Sequence, residues 1–275
     1  MEQQTLHQCE LCPINPNTPL VRTGGSDTRG AYIVALAGNP NVGKSTVFNA
    51  LTGMRQHTGN WPGKTVVRAE GSFRFQERSY TLIDLPGTYS LLSASTDEEI
   101  ARDFILFGEP DVTVVVTDAT QLERNLNLVL QVLEITEKAV VCVNLIDEAR
   151  RHGISVDTKQ LSRDLGVPVV GTAARSGEGL QDLLRSLHQV AIGAVTCVPR
   201  RVSLDSARLA AVRELQEEVE SHFPGLPNSR WVALRLLEGD ERIIKAVSTG
   251  ELHHLQSLGD AAYGIEARRK DEEHA

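Results

Sequence analysis

The sequence predicts an α/β protein, a mostly parallel sheet covered by helices and followed by a small all-helical domain. Three observations lead there. Short, continuous apolar runs alternate with helix-length segments, the first run ends at a glycine-rich turn, and strand signals vanish past Pro199. Strands buried on both faces lack polar alternation, and strands joined through helices lie parallel.

The first strand is Tyr32 to Ala37 (YIVALA), followed by a helix from Gly43 to Leu51 that Gly53 ends. Thr65 to Phe75 and Ser79 to Leu85 read as two strands with a hairpin break at Gln76 and Glu77. Ser95 with Glu98 three residues on is a capping box opening a helix through Phe107. Asp111 to Thr117 is a buried strand, Gln121 to Thr136 a helix, Ala139 to Asn144 a strand, Asp157 to Leu165 a helix, Val167 to Val170 a strand and Leu180 to Ile192 a helix. Beyond Pro199, Leu209, Val212, Leu215 and Val219 mark one face of a helix. A loop from Pro224 to Asn228 precedes a helix at Trp231 to Leu237, and Asp240 starts another between the stops Gly239 and Gly250. The expected organisation is a mobile extension over 1–30, the sheet domain over 31–198, the helical domain over 199–266 and a charged tail over 267–275.

Composition narrows the function classes. The 275 residues carry 28 Lys plus Arg against 36 Asp plus Glu, a net charge of −8, which argues against a broadly basic nucleic-acid surface. No apolar run approaches the roughly 20 residues of a membrane helix, and the amino terminus lacks a secretory pattern, so the chain is expected in the cytosol. Four cysteines, Cys9, Cys12, Cys142 and Cys197, are too scattered for a disulfide framework and are expected as free thiols. Cys142 reads as strand packing. In His7-x-Cys9-x-x-Cys12 the two cysteines supply half of a tetrahedral metal site with no second pair nearby, and the helical pair His253 and His254 has no ligand-spaced partner.

The chemistry starts at the turn after the first strand. Gly38-Asn39-Pro40-Asn41-Val42-Gly43-Lys44-Ser45 matches the P-loop pattern, with the strand before it and the helix after it. Its curled main chain, continuing through Thr46, points N–H groups at phosphate oxygens. Lys44 is expected at the β- and γ-phosphates and Ser45 on Mg²⁺. Asn144-Leu145-Ile146-Asp147 follows a buried strand. There the Asp147 carboxylate can accept from the N1–H and amino group of guanine, donors that adenine lacks in that position, while Asn144 ties the loop to the P-loop. Asp84-Leu85-Pro86-Gly87 ends another strand, with Asp84 reaching Mg²⁺ through water and the Gly87 N–H binding the γ-phosphate. Thr65 is the hydroxyl expected to complete the metal shell. In Gly171-Thr172-Ala173-Ala174-Arg175 the Ala174 N–H is expected on guanine O6, and Ala173 beside it is counted with the nucleotide-binding residues.

These five motifs, in this order, resemble the translation-factor-related GTPases, hence a P-loop GTPase fold. Thr58-Gly59-Asn60-Trp61-Pro62-Gly63-Lys64-Thr65, Asp84 to Ser90, Asn144 to Ala149 and Arg230 to Asp240 narrow the resemblance to the cytosolic region of the FeoB ferrous-iron transporters, over about residues 31–265. The resemblance implies GTP hydrolysis at the cytoplasmic face of a bacterial inner membrane, a helical domain that stabilises the GDP state, and a membrane permease in the same polypeptide. Small cytosolic accessory proteins and a homo-oligomer are further partners it implies, and no nucleic acid. It also implies potassium, with Asn41 as a side-chain ligand and the carbonyls of Gly59 and Trp61 completing the shell as the first switch closes. The alternative for Asn41 is a turn former that satisfies backbone groups; the neighbouring Thr58 to Thr65 sequence favours the ligand. A ribosome-assembly or RNA-modification GTPase, or a switch with negligible turnover, are the alternatives.

The sequence departs from the pattern in places. Thr88 replaces the glutamine that orients water in Ras-like enzymes, Leu145 the usual lysine of the guanine motif, and Ala173 a common serine. The last two point to loose nucleotide binding and quick GDP release. Lys64 is charged where many relatives carry an apolar residue, which the sequence does not explain.

Overall fold

A computed structural model describes residues 30–53, 57–61, 64–92, 95–201 and 203–252. His7, Cys9, Cys12, His253, His254 and the tail 267–275 lie outside the described residues, as does nearly all of the expected amino-terminal extension.

The strands are β1 (Tyr32–Gly38), β2 (His57–Asn60), β3 (Val67–Phe75), β4 (Arg78–Asp84), β5 (Val112–Asp118), β6 (Ala139–Asn144) and β7 (Val169–Gly171). They form a seven-stranded sheet in the order β2-β3-β4-β1-β5-β6-β7. From β4 to β7 the pairings are parallel, and β2 and β3 add to the β4 edge antiparallel. One row crosses Thr58, Ala69, Asp84, Leu36, Val114 and Val140, so Asp84 lies level with the end of β1. Because β1 is flanked by β4 on one side and β5 on the other, a crevice opens at its carboxyl end, where ligands bind in open α/β sheets.

Around the sheet lie α1 (Lys44–Thr52), α2 (Thr96–Phe107), α3 (Leu122–Ile135), α4 (Ile146–Arg151), α5 (Thr158–Leu165) and α6 (Leu180–Ala191). Beyond it come α7 (Ser206–His222), α8 (Ser229–Leu237) and α9 (Glu241–Ser248). The capping signals act as read: Ser95 accepts from Glu98 N–H, Asp157 from Gln160 N–H and Asp240 from the N–H groups of Arg242 and Ile243. Gly53, at φ 70°, closes α1. Val34, Ala35 and Leu36 of β1, Val114 to Val116 of β5 and Val140 to Val143 of β6 are fully buried, as strands covered on both faces must be.

The structure corrects several boundaries. β2 is an added strand, and its exposed sequence HTGN has no strand pattern of its own; pairing with β3 makes it one. The strand expected at Val167 to Val170 is Val169–Gly171, since Pro168 precedes it without an N–H to donate. α7 begins at Ser206, because Asp205 caps it through Arg208 N–H at 2.8 Å. That places Leu209 36% exposed, off the apolar face on which Val212 and Val219 are buried.

The helical region shares the sheet's core. Val219, Phe223, Leu226, Trp231, Val232 and Ile243 pack into the same apolar cluster as the strands. At α8's start, Asn228 Nδ2 donates to the carbonyls of Glu134 (3.1 Å) and Ile135 at the end of α3, and Arg230 pairs with Glu134 at 2.9 Å. Carbonyls at a helix end have no partner within the helix, and here a side chain from another element supplies one. Among the described residues no helix is long and apolar enough to cross a membrane.

Candidate functional site

The site is built at the carboxyl ends of β1, β4 and β6. The turn after β1 bends through two left-handed residues, Asn41 at φ 66° and Gly43 at φ 81°. Asparagine and glycine tolerate that conformation best. Gly43 is required for a second reason: a β-carbon there would strike the Asn144 amide nitrogen. Asn41, Ser45 and Thr46 are exposed along the turn, whereas Val42 is buried, and so is Asn39, whose side-chain oxygen and nitrogen have no hydrogen-bond partner among the described residues.

Asn144 is buried and joins three segments. Its Nδ2 donates to the Val42 carbonyl at 3.0 Å, which is the expected tie between guanine motif and P-loop. Its Oδ1 accepts from Thr172 Oγ1 at 3.2 Å and from the Ala174 N–H at 3.1 Å. The Ala174 amide, expected on guanine O6, here donates to Asn144, and the Ala173 amide donates to the Glu178 carbonyl at 3.0 Å. Thr172, fully buried, is a member of the junction that the sequence reading passed over, although it sits within the motif. Beneath it Cys142 lies 3.2 Å from Thr172 Oγ1, and burial pushes its thiol up to about 12, so it is a packing group rather than a nucleophile.

Leu145 takes φ 62°, a left-handed position costly for a branched side chain, and opens the short helix α4, which the sequence reading missed. Asp147 lies in its first turn, 43% exposed, with Arg151 Nη2 3.1 Å from Oδ2. Arg150 grips Glu178 through two bonds, 3.0 and 2.6 Å, lacing α4 to the loop after β7. The walls around Asp147 are therefore joined at depth by Asn144 and at the surface by Arg150.

On the other side, Lys44 Nζ pairs with Asp84 Oδ1 and donates to the Leu85 carbonyl at 2.7 Å. Burial raises the Asp84 pKa, and the Lys44 charge opposes that rise. Leu85 N–H bonds the Leu36 carbonyl and Thr88 N–H the Gly38 carbonyl, and the intervening Gly87 lies against Pro40. Thr88 is buried. The Asp84 to Gly87 segment and the P-loop thus form one surface carrying Lys44, Ser45, Asp84 and Gly87.

Gly59, Trp61 and Thr65, expected at the nucleotide from the sequence, stand apart from it. Gly59 lies in β2, three strands from β1, on the order of 14 Å at ~4.8 Å per strand. The Trp61 carbonyl accepts from Lys64 N–H at 3.0 Å, and its ring is buried against Phe104 of α2, 5.5 Å between centroids. Thr65 is exposed in the turn before β3. The structure does not bring Asn41, Gly59 and Trp61 together.

Comparison with known proteins gives a consistent result. A family described as ferrous iron transport protein B matches residues 32–187, and one described as the FeoB cytosolic helical domain matches 209–273. The Fe(2+) transporter FeoB of Salmonella typhimurium is 37% identical over 254 residues, covering 87% of this chain and 30% of that protein. The Escherichia coli K12 relative is 40% identical over 211 residues, 75% of this chain and 27% of that protein. The chain therefore spans about 30% of the length of the curated relatives it matches. Among solved structures, the cytosolic domain of T. maritima FeoB in a GDP form aligns with TM-score 0.72 and 35% identity over 89% of this chain and 95% of that one. Its GMPPNP form gives 0.71 and 35% over 87% and 95%. The cytosolic domain of L. pneumophila FeoB gives 0.70 and 35% over 82% and 98%.

Proposed function

The chain belongs to the FeoB ferrous-iron transporter family, as its G domain and cytosolic helical domain, and from that premise we propose that it binds GTP, hydrolyses it to GDP and phosphate, and couples the nucleotide state to iron uptake through a membrane permease. The observation that carries this reading is the Asn144 junction, which locks the P-loop, the guanine motif and the loop at Thr172 to Ala174 into one pocket.

In this reading the N–H groups from Gly43 to Thr46 hold the phosphates and the Lys44 ammonium neutralises their charge, exchanging Asp84 for a phosphate oxygen. Asp147 reads the guanine edge, with Arg151 steadying its carboxylate. Gly87 N–H meets the γ-phosphate as the second switch closes. Phosphoryl transfer needs mostly alignment and charge stabilisation, which these groups supply without a covalent step.

Ser45, Thr65 and Asp84 offer only oxygen donors, as a hard cation requires, so they fit Mg²⁺; bound there, the ion would neutralise the β- and γ-phosphate oxygens. Potassium is assigned to Asn41 with the carbonyls of Gly59 and Trp61. With the Trp61 carbonyl bonded to Lys64 and Gly59 in the β2 ladder, that set requires the first loop to move.

Titration calorimetry of the full chain with GDP and ADP, each with Mg²⁺, tests the reading. GDP is expected to bind at least ~10²-fold more tightly, because a buried or half-buried acceptor left unpaired discriminates strongly. Equal affinities would overturn it.

A further inference from the structure

Lys64, unexplained by the sequence, ends on Glu99 of α2, with Nζ 3.2 Å from Oε2. The other oxygen of the same carboxylate, Oε1, lies 3.6 Å from Arg242 Nε at the start of α9. Arg242 itself is divided, since its two terminal nitrogens hold Glu251 at 2.6 and 2.8 Å. One carboxylate on α2 therefore serves a cation from the loop before β3 and a cation from α9.

Two cations competing for one anion are antagonists. Each lowers the charge the other sees, and the pairs, 23 to 40% exposed at the side chains, are screened but not abolished by water. A groove of about 590 Å³, lined in part by Leu92, Glu99, Arg235 and Arg242, lies beside them. By contrast the anchor at Asn228 and Arg230 is made to the end of α3.

Resting on the nucleotide-binding reading above, we propose that Glu99 is an exchange point. With the first loop docked, Lys64 shares the carboxylate and α9 is held weakly. When that loop leaves to bring Thr65 toward the nucleotide, Lys64 goes with it, and Glu99 is handed to Arg242, which fastens α9 to α2. The linkage is reciprocal: an α9 held firmly by Glu99 disfavours the return of the loop.

Hydrogen–deuterium exchange of the α9 amides, Glu241–Ser248, tests this on the full chain. Without nucleotide, Lys64→Met is expected to raise α9 protection roughly two- to fivefold at low salt, an effect that shrinks at 0.5 M salt. Glu99→Gln is expected to lower protection and to erase the effect of Lys64→Met in the double variant. GMPPNP is expected to protect α9 more than GDP in the parent chain and not in Glu99→Gln. Unchanged or lowered protection in Lys64→Met overturns the exchange point whether or not nucleotide binds. Calorimetry showing no guanine preference, with the nucleotide-free result as expected, overturns the nucleotide reading and leaves the ionic antagonism standing.

Discussion

Gly43 and Asn144 stand so close that the amide nitrogen of Asn144 fills the space a β-carbon on Gly43 would need. The contact joins the phosphate turn to the guanine motif through a glycine, since φ 81° disfavours any side chain and a β-carbon would meet Asn144. Gly43→Ala is expected to cost about 1–2 kcal/mol from the left-handed backbone alone, with more from the displaced Asn144. Urea denaturation and GDP calorimetry should show both losses; a variant of parental stability and affinity would contradict the close packing.

Asp147→Asn should move preference from guanine to xanthine nucleotides, because an amide donates where the carboxylate only accepts. A swing of ~10²-fold or more between GDP and XDP is expected. Retained GDP preference would remove Asp147 from the base-reading role.

Potassium, compared with sodium at equal ionic strength, is expected to raise GTP turnover about tenfold or more by stabilising charge on the transferring phosphate. In Asn41→Ala the two salts should give equal rates. Phosphate release is the measurement, and equal rates in the parent chain would dismiss the ion.

His188 of α6 meets the Tyr80 hydroxyl of β4 at 2.5 Å between Nδ1 and oxygen, both buried in an aromatic cluster with Phe75. Burial, then the Arg78 charge, lowers the His188 pKa below 6.5, so the ring stays neutral in the fold while the unfolded chain still takes up a proton. The associated stability is present above about pH 6.5 and is lost as pH falls from there toward the lower folded value. Melting temperature should drop between pH 7.5 and 5.5 by about 2–4 °C for each kcal/mol of proton linkage, and less in His188→Gln, as followed by circular dichroism. Equal slopes in both chains would clear His188.

Much of this was written locally. Ala139–Asn144 is a strand at the residues its apolar run marks, and Ser95 caps α2 through the N–H of Glu98 as the capping box requires. The tie from Asn144 to Val42 follows from motif order alone. What local pattern could not carry is what tertiary contact decides. His57–Asn60 is a strand only because β3 lies beside it, and α4 opens at a left-handed Leu145 that no capping signal announces. The Ala173 and Ala174 amides are claimed by Glu178 and Asn144, partners fixed by loop geometry rather than by residue type. Lys64 looked anomalous for the same reason: its counterion, Glu99, lies 35 residues away on α2 and is shared with Arg242 of α9.

The clasp of Asn228 on the last carbonyls of α3 fastens the terminal helices through groups that water would compete for. Beside it Trp231, Val232 and Ile243 lie in the core shared with the sheet, contacts that water would not replace. Solvent entering this seam would therefore cost both kinds of contact at once, so α8 and α9 are expected to unfold together with the sheet rather than ahead of it.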